Sequence, residues 1–183
     1  MNTANKLTML RVVMIPVFLL ALYLEFPFDR LIALLIFVLA SVTDFIDGYI
    51  ARHYNQITDF GKFMDPLADK LLVTSAMLWF VEVGQMPAWV LLIVIAREFA
   101  VSGLRMVAAD RGVVIAAAWS GKIKTASTMV CICIMLIPEL AGIWVPVLDI
   151  GLNLVCVAVI LVTTVWSGVE YFIKNKSVFS GAV

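Results

Sequence analysis

Histidine is almost missing from this chain. His53 is the only one, and its place beside Arg52 in a short polar loop reads as a loop residue rather than a ligand. Cysteine is scarce as well. Cys131, Cys133 and Cys156 all fall in apolar segments. Cys131 and Cys133 are two apart and point to different helix faces, which argues against a metal-binding pair; all three read as small apolar packing residues. Charge is thin, at 14% of residues with a formal net charge of zero, and no nucleic-acid partner is expected. No cleavable signal pattern opens the sequence, because the run after Lys6 contains Arg11 and no small-residue cleavage site. Internal repeats and low-complexity stretches are absent too. What remains is hydrocarbon: 63% of the residues are hydrophobic and the mean hydropathy is +1.07. That excludes a soluble domain and predicts a polytopic helical membrane protein.

The apolar runs and the turns between them set the expected organisation. Helical spans are predicted at 7–24, with a kink at Pro16, at 31–52, and at 60–83, with Pro66 in its first turns. Further spans are predicted at 87–108, where Pro87 suits the first helical position, at 116–137 and at 146–173. The fold class is therefore all-α, a six-transmembrane-helix bundle, with 1–183 as a single domain. Six spans place both ends on one side. Lys6, Arg11, Arg52, Lys62, Lys70, Arg105, Arg111, Lys122, Lys124, Lys174 and Lys176 gather on that side, against Arg30 alone on the other. Excess Lys and Arg mark the cytoplasmic side. Both termini are expected in the cytoplasm and the protein in the cell membrane.

One polar stretch stands out. Residues 44–69 hold Asp44, Asp47, Gly48, Ala51, Arg52, Gly61, Asp65 and Asp69. On two helices joined by a short loop, Asp44 and Asp47 share a face at spacing three, and Gly61, Asp65 and Asp69 share a face at spacing four. At ~1.5 Å per residue, Asp47 and Asp65 lie roughly 6–8 Å inside their helices and Asp44 and Asp69 roughly 12 Å. Four carboxylates at matched depths cannot all stay ionised in a low-dielectric site without cations. Hard oxygen ligands favour Mg²⁺, Mn²⁺ or Ca²⁺. Four shared carboxylates suit two ions, which points to phosphoryl chemistry. Gly48, Ala51 and Gly61 leave room for a ligand to approach the backbone. Pairing of the acids with Arg52, Lys62 and Lys70 is the competing structural reading. A divalent-cation transporter is the competing functional one, but transporters hold such carboxylates near the midplane, and here they cluster at one end.

Other polar residues sit in the apolar runs. Asn5, Thr8 and Arg11 share a helix face at spacing three. Thr58 is placed to cap the helix that follows it. Glu98, Ser102 and Arg105 line one face of the fourth span, where a Glu–Arg pair could neutralise itself. Lys122, Lys124 and Thr125 open the fifth span, and a helix N-terminus with two lysines suits a phosphate.

Asp44-x-x-Asp47-Gly48-x-x-Ala51-Arg52, eight residues, Gly61-x-x-x-Asp65-x-x-x-Asp69 resembles the full motif of the CDP-alcohol phosphatidyltransferases, with all eight fixed positions filled. The resemblance implies a six-helix bundle that commonly dimerises and a reaction supported by two Mg²⁺ or Mn²⁺ ions. It assigns Asp44, Asp47 and Asp65 to one ion and Asp44, Asp65 and Asp69 to the other, with Asp69 also the base. It assigns Gly48, Ala51 and Arg52, with Gly61, to the CDP part of CDP-diacylglycerol. Asn5 and Thr8 would then contact its diphosphate region, and Thr58 would lie near the cytidine. The strings AREFAVSGLR, GKIKT and SGVEYF are similar to the branch whose acceptor is sn-glycerol 3-phosphate. That branch would use Arg105, Lys122, Lys124 and Thr125, together with Arg97, to hold the acceptor phosphate. The implied partners are CDP-diacylglycerol, sn-glycerol 3-phosphate, membrane lipid and a second copy of the chain. Inositol phosphate, serine or phosphatidylglycerol is the alternative acceptor.

Overall fold

The computed structural model describes residues 3–24, 28–53, 59–113, 115–116, 118–137 and 146–176; for 3–6, 45, 47–53, 59–60, 62–63 and 146–150 it describes the backbone only. Among the described residues six helices follow one another: α1 Thr3–Tyr23, α2 Asp29–His53, α3 Asp59–Glu82, α4 Ala88–Asp110, α5 Trp119–Leu136 and α6 Pro146–Lys174. The all-α expectation holds, and each helix overlaps an expected run. Pro87 lies one position earlier than expected, as the N-cap of α4 in extended geometry (φ −67°, ψ 135°).

The expectation of six membrane spans does not hold. Among the described residues, one stretch, Gly151–Lys174, is long and apolar enough to cross a membrane. The physical reason is where the charges fall. α3 opens with Asp59, Lys62, Asp65, Asp69 and Lys70. Arg97 and Glu98 interrupt the middle of α4, and Lys122 and Lys124 sit in the first turns of α5, which has only 18 residues. The apolar piece of α1, Leu7–Tyr23, falls short in length. High overall hydropathy therefore overstated the number of uninterrupted spans. The protein is membrane-associated through at least the α6 stretch, of which only 33% is buried within the protein. The rest of that apolar surface is exposed.

The chain divides into two compact units. In the first, Met1–Phe80 with Leu136–Val145, α1 packs along α2. Phe18 and Phe37 meet with ring centroids 5.9 Å apart. Ala21, Ala33 and Ala40 are buried around them, small enough for close helix approach. The outer faces stay apolar, with Leu10, Val13, Val17 and Leu20 on α1 and Leu35, Leu39, Val42 and Ile46 on α2 all exposed. Arg30, at the start of α2, lays its guanidinium over Trp79 of α3, 4.9 Å from the ring centroid. That contact ties the far ends of the acidic hairpin together.

In the second unit, Val81–Met135 with Pro146–Val183, α4 packs against α6. α4 ends in a Schellman motif. Val113 N–H donates to the Ala108 carbonyl at 2.8 Å and Gly112 N–H to the Ala109 carbonyl at 3.0 Å. Gly112 adopts φ +73°, which a residue with a Cβ reaches only under strain. The motif folds Val113 back onto a buried cluster of Val101, Leu104, Ala108 and Tyr171. This fixes the end of α4 against Tyr171 of α6. Cys131 and Cys156 are buried free thiols and Cys133 is half-buried.

Candidate active site

Within the first unit, α1 organises the acidic helices. Thr8 and Arg11 lie one turn apart and are 1% and 0% exposed. Thr8 Oγ1 donates to Asp65 Oδ1 at 2.6 Å, and Arg11 Nη1 pairs with Asp44 Oδ1 at 2.7 Å. One helix thus holds one carboxylate from α2 and one from α3. The sequence reading directed Thr8 toward a ligand's diphosphate, whereas here Thr8 and Arg11 both engage the carboxylates. The Asp44 side chain keeps 41% of its surface exposed, so the pair is sealed on the arginine side and open on the acid side. Asp44 also feels the like charge of Asp65. Asp69 is half-buried one turn beyond Asp65, and Gly61 is buried one turn before it. Pro66 inside α3 lacks an N–H, so one helical carbonyl beside this acidic face loses its usual donor.

Asp47, Gly48, Ala51 and Arg52 lie on the helical backbone of α2, and Asn5 on that of α1; their side chains lie outside the described residues. Thr58 lies outside them altogether. Among the described residues, no group of three His, Cys, Asp or Glu side chains is gathered tightly enough to hold a metal ion. The donors that are described do suit a divalent cation. Asp44 and Asp65 are hard oxygen donors of like charge, held close enough to interact.

The basic residues of the second unit are engaged in an order the sequence did not show. Glu98 Oε1 accepts from Arg97 Nη1 at 2.9 Å and from Lys124 Nζ at 2.7 Å. Arg105 does not pair with Glu98. Seven residues along a helix separate them by about 10 Å, while Lys124 reaches Glu98 from the neighbouring helix. Arg105 instead donates its Nε to Tyr171 Oη at 2.9 Å and lies 5.6 Å from the ring centroid. Lys122 and Lys124 diverge. α5 begins at Trp119, before the lysines, so two residues of helix turn them to opposite sides. Lys124 is buried at 4% exposure, and Lys122 is exposed with its Nζ 5.6 Å over the Trp119 ring. Thr125 Oγ1 donates to the Gly121 carbonyl at 3.1 Å, within its own helix. The sequence reading missed Tyr171 as a partner of Arg105. The two lie 66 residues apart, and no helical period links positions that far separated.

The first unit presents paired carboxylates on adjoining helices; the second holds arginine and lysine on a half-buried carboxylate and arginine on a buried phenol. Comparison with known proteins makes the class specific. The sequence pattern of the CDP-alcohol phosphatidyltransferase family matches residues 1–169, and the chain belongs to that family of enzymes. It is 42% identical to the CDP-diacylglycerol–glycerol-3-phosphate 3-phosphatidyltransferase of Bacillus subtilis (strain 168), over 95% of each chain. It is 39% identical to the enzyme of the same name from Rickettsia bellii (strain RML369-C), over 97% of each chain. A third enzyme of that name, from Salmonella paratyphi A (strain ATCC 9150 / SARB42), is 40% identical over 93% of this chain and 92% of its own.

Proposed function

We infer that this chain transfers the phosphatidyl group from CDP-diacylglycerol to sn-glycerol 3-phosphate, giving phosphatidylglycerol phosphate and CMP, as a step of phospholipid biosynthesis. The observation that carries the reading is the similarity, over nearly the whole of each chain, to relatives named for that reaction. The capture of Asp44 and Asp65 by α1 supports it from the structure.

Asp69 takes the proton from an acceptor hydroxyl. The freed oxygen attacks the phosphorus next to diacylglycerol, and the bond from that phosphorus to the CMP oxygen breaks. Gly48, Ala51 and Gly61 let the CDP group approach the backbone, and Arg52 pairs with it. Asn5, Thr8 and Thr58 complete that ligand's surroundings. Arg97, Arg105, Lys124 and Thr125 hold the acceptor phosphate, and Lys122, turned to the other side of α5, adds only longer-range positive charge. Asp44, Asp47, Asp65 and Asp69 would hold two Mg²⁺ or Mn²⁺ ions between them. When bound, such ions supply neutralisation of the diphosphate and of the charge that develops on the leaving group. Thr8 and Arg11 keep Asp65 and Asp44 in place for that task. The Lys and Arg distribution supports a site facing the cytoplasm, where nucleotides are. The match over 1–169 supports treating both units as one family domain, and the family habit supports a homodimer.

The test is CMP release. Purified protein given CDP-diacylglycerol, glycerol 3-phosphate and Mg²⁺ should release CMP, and omission of the acceptor or chelation of the metal should stop it. Cation flux through vesicles containing the protein, without CMP release in either condition, would reject the transferase reading.

A further inference from the structure

We propose that Glu98 is a positioning residue of the acceptor site: its carboxylate holds Arg97 and Lys124 side by side as a preorganised pair for a dianionic phosphate, and Gly168 is the notch that lets Arg97 reach it. The proposal rests on the reading that Arg97 and Lys124 bind the acceptor phosphate, and it says how they are kept ready to do so.

Three observations carry it. First, a single oxygen, Glu98 Oε1, accepts from both cations, at 2.9 Å from Arg97 and 2.7 Å from Lys124. Nη1 and Nζ therefore stand within two hydrogen-bond lengths of each other, a separation that two oxygens of one phosphate can bridge. Without the carboxylate, two like charges this close would separate. The side chains are 12% and 6% exposed, so solvent screens that repulsion weakly. One carboxylate against two cations still leaves a net positive charge to attract a dianion. Second, among the described residues the Nε of Arg97 is buried with no hydrogen-bond partner. A donor in that state is costly to leave unmet, so the Arg97 guanidinium keeps bonding capacity that the described residues do not use. Third, the route of the Arg97 side chain is cleared by glycine. A Cβ added at Gly168 would lie 3.3 Å from Arg97 Cγ, closer than side chains normally pack. A Cβ at Gly121 would lie 3.6 Å from Nη2, an ordinary contact. Cγ is near the α4 backbone and cannot swing aside as the guanidinium tip can. A methyl at 168 therefore asks the Arg97 stem to shift by a few tenths of an ångström, and a methyl at 121 asks nothing of it.

A plain internal ion pair that only neutralises charge inside the bundle makes different predictions. Its loss would weaken folding and shift the kinetics of both substrates together. Positioning of the acceptor phosphate concerns one substrate alone.

The experiment uses full-length protein in detergent, with separate saturation curves for glycerol 3-phosphate and for CDP-diacylglycerol. Glu98→Gln keeps the shape and one acceptor oxygen but removes the charge. It should raise the KM for glycerol 3-phosphate roughly tenfold, the effect of losing a charge-assisted contact, with kcat and the KM for CDP-diacylglycerol little moved. Glu98→Asp, which keeps the charge but withdraws the oxygen, should recover part of the loss. Gly168→Ala should raise the same KM severalfold, and Gly121→Ala should match the parent. An unchanged or lower KM in Glu98→Gln, where Arg97→Ala and Lys124→Ala both raise it, overturns the positioning role while the acceptor site stands. Unchanged curves in Arg97→Ala and Lys124→Ala overturn the acceptor assignment itself, and the positioning role with it. Should Glu98→Gln not fold, the glycine pair decides: equal curves for Gly168→Ala and Gly121→Ala overturn the proposal.

Discussion

Replacing Arg11 with Met removes the cation that faces Asp44 while keeping a long apolar stem in the space. Arg11 is fully buried and its guanidinium is 2.7 Å from Asp44. Breaking a fully buried ion pair costs about 3–5 kcal/mol, because the surviving charge is left without a partner. Here the survivor is Asp44, whose side chain is 41% exposed. Water can recover part of its solvation, which lowers the expected cost to about 2 kcal/mol. For a chain of this length that corresponds to a fall in Tm of roughly 4–8 °C. The assay is thermal unfolding of purified protein in detergent, with and without Mg²⁺. The metal should restore more stability to Arg11→Met than to the parent, because Asp44 then has no internal cation competing for it. Arg11→Lys should fall between the two. An unchanged Tm in Arg11→Met, or an equal Mg²⁺ response in both proteins, would refute the argument that α1 sets the charge on Asp44.

Asp69→Asn keeps size and one oxygen donor but cannot accept a proton; turnover should be lost while CDP-diacylglycerol binding, measured by saturation of the fluorescence or heat signal, is largely kept. Lys124→Ala and Arg105→Ala should each raise the KM for glycerol 3-phosphate by roughly tenfold to a hundredfold. Lys122→Ala should do so less, since its Nζ lies on an exposed tryptophan face; the saturation curves show which. A cysteine at Asn175, just past α6, should resist a membrane-impermeant thiol reagent in sealed cells, and labelling there would reverse the proposed orientation.

Much of the helix pattern was legible in the sequence. The apolar runs are long, and Gly84 and Gly112, both at positive φ, punctuate them with turns that glycine makes cheaply. The acidic pattern was legible because spacings of three and four residues place Asp44 with Asp47, and Asp65 with Asp69, on common faces. The membrane spans were misjudged because hydropathy averages over charges. Arg97 with Glu98, and Lys122 with Lys124, break runs that are otherwise apolar. The partners across helices were not legible at all. Arg11 with Asp44, Thr8 with Asp65, Lys124 with Glu98 and Arg105 with Tyr171 are separated by 26 to 66 residues. A periodicity argument reports which face a residue shares on its own helix. It is silent on which neighbouring helix that face meets. The notch at Gly168 was hidden for the same reason: it matters only because an arginine from α4 passes across it.

A panel of acceptors decides which alcohol this enzyme uses. Purified protein with CDP-diacylglycerol and Mg²⁺ is offered glycerol 3-phosphate, inositol phosphate, serine or phosphatidylglycerol in turn, and the lipid product is identified by mass. Glycerol 3-phosphate should give phosphatidylglycerol phosphate, with one CMP released per product molecule, far above the others. A faster reaction with any other acceptor would contradict it.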